Sequence, residues 1–129
     1  MRFRVLKFAV IAAGGAVGAL ARYAAGGFVQ QAFKTASFPI GTLAVNLIGC
    51  LLIGFGFGLI ESRQPFTPEM RAFIFIGFLG SFTTFSTFGL ESFNLARDGQ
   101  WLLAAANIGL SVVVGLAAVL AGGVLSKLI

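Results

Sequence analysis

A chain of 129 residues with 58% hydrophobic side chains, 10% charged ones and a formal charge of +5 falls far below the ~25% charge typical of a soluble domain. It is read as a membrane protein of one domain, residues 1–129, too short to hold a separate catalytic module. The lack of histidine and the single cysteine exclude a Cys/His zinc site, an internal disulfide and a His-based catalytic triad.

Four apolar runs are long enough to cross a hydrocarbon core of ~30 Å, which takes about 20 helical residues. The first covers residues 5–29 and carries Lys7 near its start and Arg22 in its second half. Its basic beginning and the Ala19-Leu20-Ala21 step imitate a secretory signal, but the apolar run resumes beyond Arg22, as a spanning helix does. Gly14 and Gly18 stand four apart and open a groove for close helix contact. This glycine-rich stretch follows no strand, and no G-x-x-x-x-G-K-[ST] signature is present, so no nucleotide is expected.

The second run, residues 40–60, is uncharged and follows Pro39, which suits a first helical turn. Asn46 lies near its middle and needs a partner for its amide. Two readings stand level: an interhelical hydrogen bond worth about 0.6–2 kcal/mol, or contact with a permeating ion. Cys50 reads as a small hydrophobe, and Gly54 and Gly58 repeat the four-residue spacing. Residues 61–71, with Pro65 and Pro68, form a solvated linker.

The third run, residues 72–96, is uncharged until Glu91, which is read as an interfacial or capping residue. Here lies the densest signal, Gly80-Ser81-Phe82-Thr83-Thr84-Phe85-Ser86-Thr87-Phe88, in which hydroxyls and phenylalanines fill every position after the glycine. Hydroxyls divert backbone hydrogen bonds and glycine weakens a helix, so a break in mid-membrane is predicted. Such backbone survives only where protein buries it or a wet cavity adjoins it, and its freed carbonyls suit a hard cation such as sodium. Phe85 and Phe88 share a helix face, and the positive edges of two rings can solvate a small anion. The bland alternative is that they pack in lipid.

The fourth run, residues 101–125, is uncharged and carries a polar stripe of Asn107 and Ser111, one turn apart. Arg22 either snorkels to the headgroups or gives an anion path a positive vestibule, and the two roles are compatible. With four spans, both termini and the middle linker share one side, which holds Arg2, Arg4, Lys7, Arg63, Arg71 and Lys127 against Lys34 and Arg97, with Arg22 as a further candidate, on the other. That bias is modest, so insertion in both orientations and pairing as an antiparallel dimer are permitted. Basic residues dispersed in this way meet lipid headgroups and do not form a nucleic-acid footprint.

Gly41-Thr42-Leu43-Ala44-Val45-Asn46 followed by Gly80-x-x-Thr83-Thr84-Phe85-Ser86-Thr87-Phe88 resembles the Fluc family of bacterial fluoride channels, also called CrcB-like proteins. The likeness spans the chain: its length, four helices, an arginine late in the first, an asparagine in the second, a broken third and polar positions in the fourth. It implies an all-α membrane protein of the bacterial inner membrane, assembled as a dual-topology antiparallel homodimer with two fluoride pores. It also implies a structural sodium at the dimer centre, held by backbone carbonyls of Gly80 and Thr83. Asn46, Phe85 and Phe88 match the pore amide and phenylalanines. Thr42, Thr84 and Ser111 match polar positions along the pore, and Asn107 stands where some relatives carry tyrosine. Ser81 and Phe82 replace a common Gly-Leu. The implied activity is passive fluoride export, with Arg22 in the vestibule, the lipid bilayer as surroundings and neither nucleotide nor nucleic acid as partner.

Two rivals are weighed. A small multidrug transporter is also a four-helix protein, but it relies on a membrane-embedded glutamate that the first helix lacks. A noncatalytic assembly protein held by its glycines leaves the hydroxyl–phenylalanine stripe unexplained. An enzyme is the least favoured reading, for want of a nucleophile–base pair.

Overall fold

The computed structural model describes residues 2–34, 37–63 and 65–129, with side chains from residue 5 onward. Part of the first linker, and Arg2 and Arg4 of the basic tail used in the orientation argument, therefore lie outside the described side chains. Four helical spans result: α1 (Arg2–Ala32), α2 (Ile40–Arg63), α3 (Pro68–Arg97) and α4 (Trp101–Ser126). They run past the apolar stretches because helical hydrogen bonding does not stop where hydropathy does; the polar ends reach into the headgroup layer.

The span α3 is a composite. Thr67 caps its start, its hydroxyl accepting from the Met70 N–H at 3.2 Å, and Pro68 occupies the first turn. After Pro68–Arg71 the chain widens into a π-helical stretch, Ala72–Leu79, returns to an α turn at Gly80–Phe82, breaks, and resumes at Phe85–Arg97. A left-handed Gly99 (φ 77°) ends it, with Gln100 N–H reaching back to the Leu95 carbonyl at 2.8 Å, and the chain turns directly into α4.

Two helix pairs build the bundle, α2 against α4 and α1 against the π-helical stretch of α3. Both seams depend on backbone approach. A β-carbon added at Gly18 would collide with the Phe78 carbonyl, and one added at Gly122 with the Leu51 carbonyl and the Phe55 nitrogen. Outside these seams the spans present large apolar side chains such as Phe28, Leu102 and Leu120 outward, as a lipid-facing surface requires.

A polar cavity at the broken helix

The break follows from what its hydroxyls do. Thr83 and Thr84 are extended (φ/ψ −86°/158° and −149°/117°). The Thr83 hydroxyl donates back to the Leu79 carbonyl at 3.0 Å, while Thr84 Oγ1 caps the next segment by accepting from the Thr87 N–H at 3.3 Å. Its hydroxyl also donates to Thr87 Oγ1 at 3.0 Å.

Asn46 completes the break from α2. Its Oδ1 accepts from the Thr84 N–H at 2.8 Å and its Nδ2 donates to the Thr84 carbonyl at 3.0 Å. The amide thus replaces, for that single residue, the partners a helix would have supplied. An amide nitrogen has two N–H groups, so one remains for a further acceptor. From α1, Arg22 reaches the break, its Nε donating to the Ser81 carbonyl at 3.0 Å. The last carbonyls before a helix break have no helical partner. Arg22 serves that of Ser81, and those of Gly80 and Thr83 lie on either side of it.

A cavity of about 360 Å³ opens at this point. Asn46, Gly80, Thr83, Thr84, Phe85, Phe88 and Ser111 line it together with Cys50. The two rings sit 5.5 Å apart at 49°, Phe88 buried and Phe85 84% exposed. Ser111 Oγ is buried without a hydrogen-bond partner, so its O–H is free to point into the space. No carboxylate borders this cavity.

A second cavity of about 450 Å³ lies on the other side of the break, bordered by Arg22, Gln30, Thr42, Thr87 and Glu91. Thr84, the residue that Asn46 holds, lines both. Thr42 donates its hydroxyl to Glu91 Oε1 at 2.7 Å, which leaves it only lone pairs toward the cavity. Glu91 does not cap α3, which continues to Arg97; its carboxylate accepts from a residue in the first turn of α2.

Most of the residues singled out from sequence are thus gathered around the break. Asn107 departs from the rest. It is 1% exposed, borders neither cavity, and donates its Nδ2 to Ser92 Oγ at 2.9 Å. Ser92 and Gln30 were not singled out from sequence. Ser92 follows Phe88 by four residues, a spacing at which a serine can bond the preceding turn. Gln30 bridges two helices through backbone atoms, accepting from the Gly41 N–H at 3.0 Å, and nothing in its sequence context announces it.

Residues 9–123 match the family described as CrcB-like protein, Camphor Resistance (CrcB). A protein of Maridesulfovibrio salexigens named fluoride-specific ion channel FluC is 51% identical over 123 residues, 95% of this chain and 97% of its own. Namesakes from Desulforapulum autotrophicum and Nitrosococcus oceani are 48% and 46% identical, each over 95% of this chain and 98% of their own. With four apolar spans and this breadth of identity, the chain is a multi-pass membrane protein that belongs to the CrcB family.

Proposed function

We propose that this protein is a fluoride-selective passive channel of a bacterial inner membrane, relieving cytoplasmic fluoride toxicity. What carries the reading is the cavity at the break. It brings the spare Asn46 N–H and the free Ser111 hydroxyl against the Phe85–Phe88 pair, and it has no carboxylate wall. The names of relatives about half identical along nearly their whole length point the same way.

Fluoride holds its hydration shell tightly, so a pore must replace that shell with donors already in place. The Asn46 N–H and Ser111 O–H supply hydrogen bonds, and the ring edges of Phe85 and Phe88 supply weaker positive contacts. In the neighbouring cavity Arg22 contributes the positive charge that draws an anion toward the break. No coupling is needed. Hydrogen fluoride enters an acid-exposed cell as a neutral molecule and dissociates inside, and a negative interior drives each exported charge by about 2.3 kcal/mol per 100 mV.

The assembly in this reading is an antiparallel, dual-topology homodimer with two pores. In a single chain Phe85 and Gly80 stand exposed beside an open cavity, a face that a second copy would cover. A sodium at the dimer centre belongs to the same proposal. Among the described residues no cluster of His, Cys, Asp or Glu can hold a metal, whereas backbone carbonyls at the break, such as those of Gly80 and Thr83, are the hard oxygen donors sodium prefers. Bound there, the cation supplies fixed positive charge and ties the breaks together. Protein purified in potassium buffer should retain about one sodium per two chains by flame emission; a sodium-free dimer would remove the cation from the reading.

The decisive experiment is efflux from liposomes followed with fluoride and chloride electrodes in parallel. Rapid fluoride release without chloride release is expected, falling about tenfold in Phe88→Ile, a factor in line with loss of an aromatic edge contact. Intact dimers that release no fluoride would refute the channel reading and turn attention to proton-coupled transport through Glu91.

A further inference from the structure

The cavity is bordered by Phe88, but the groups that fix Phe88 lie behind it. Ser92 Oγ donates to the Phe88 carbonyl at 2.8 Å, and Asn107 Nδ2, reaching across from α4, donates to Ser92 Oγ at 2.9 Å. The three residues are 9%, 7% and 1% exposed, in order from the cavity inward. Phe88 alone of them touches the cavity.

A serine hydroxyl has one proton and can swing it among several acceptors. With the Asn107 N–H occupying one lone pair, the proton of Ser92 has to point at the Phe88 carbonyl. The side chain thereby grips the backbone of the turn that carries the ring, a bond that bends a helix slightly at its point of attachment. The grip is anchored in a different helix, because Asn107 belongs to α4. Phe85, at the first position after the break, is tied differently: Asn46 of α2 bonds the carbonyl of the residue before it.

We propose that Asn107 and Ser92 are positioning residues for Phe88: a buried two-bond relay from α4 that sets where the inner ring stands, and through it how well the pore discriminates fluoride. The role of Asn107 is then indirect; it meets no ion. This rests on the channel reading for its functional consequence, but the placement of the ring can be tested without it.

The test uses the full-length protein with 4-fluorophenylalanine incorporated at position 88 or, separately, at position 85. The variants are Ser92→Ala, Ser92→Thr and Asn107→Leu, each checked for an intact dimer by gel filtration. In Ser92→Ala and Asn107→Leu the fluorine resonance of residue 88 should shift or split by clearly more than that of residue 85, whose ring feels only its neighbour's displacement. Fluoride flux should fall about tenfold, the factor expected from losing one interhelical polar bond in a membrane. Ser92→Thr keeps the hydroxyl and should restore both readouts. An unmoved residue-88 signal, or equal movement at 85 and 88, overturns the proposal, since a merely structural loss would disturb both rings. Should Asn107→Leu fail to assemble, the Ser92→Ala and Ser92→Thr pair decides. Wild-type protein that moves no fluoride would sink the channel reading, and the fluorine signals would still report whether the relay holds the ring.

Discussion

Asn46→Asp is expected to abolish fluoride release, by about a thousandfold, while leaving the dimer intact by gel filtration. A carboxylate at this position still accepts from the Thr84 N–H, so half of the two-point contact survives. It has no proton for the Thr84 carbonyl, which Asn46 Nδ2 reaches at 3.0 Å, and none for a permeating ion. It also sets a negative charge in the cavity wall. At a separation of ~4 Å and an effective dielectric of ~20, repulsion of an anion amounts to about 4 kcal/mol, which is that thousandfold factor. Fluoride conduction by Asn46→Asp at neutral pH, at the wild-type rate, would mean the amide serves the break alone and the ion passes elsewhere.

Gly122→Val should prevent assembly altogether. A β-carbon at this position meets the Leu51 carbonyl and comes within 2.7 Å of the Phe55 nitrogen, and both are backbone atoms of the facing helix. Neither can rotate aside as a side chain would, so α2 and α4 must separate along the most extensive seam of the bundle. Overpacking of a core costs about 1–3 kcal/mol even where side chains can adjust, and here they cannot. The check is detergent gel filtration of the expressed protein: aggregate or no protein is expected. A monodisperse peak at the wild-type position would show that the seam is looser than the backbone contacts indicate.

The spans were legible in the sequence because hydrophobic length is a strong signal and the bilayer leaves few alternatives. The break was legible too, since glycine and clustered hydroxyls both weaken helical hydrogen bonding. Less was visible in what holds the break. Asn46 stood level between an interhelical bond and an ion contact; the geometry gives it the first through two of its bonds and leaves one N–H for the second. Arg22 and Glu91 were read by their distance from helix ends, a one-dimensional measure. A carbonyl freed by the break and a hydroxyl on α2 offer them partners. Asn107 and Ser111 looked equivalent as a stripe. A turn of helix separates them, and a neighbour, Ser92, takes one and leaves the other free. The π-helical stretch Ala72–Leu79 has no sequence sign we can identify.

That a single residue, Thr84, borders both cavities bears on how the membrane voltage acts. Were water to fill both spaces from opposite flanks, it would carry the bulk potential inward, and the electric field would be compressed into the layer between them. Most of the ~2.3 kcal/mol per 100 mV would then be delivered across that layer, with little of it spread along the helices. If the proposed ion path crosses this layer, an anion meets a single short step, and the sensitivity of conduction to voltage is set near the Asn46–Thr84 contact.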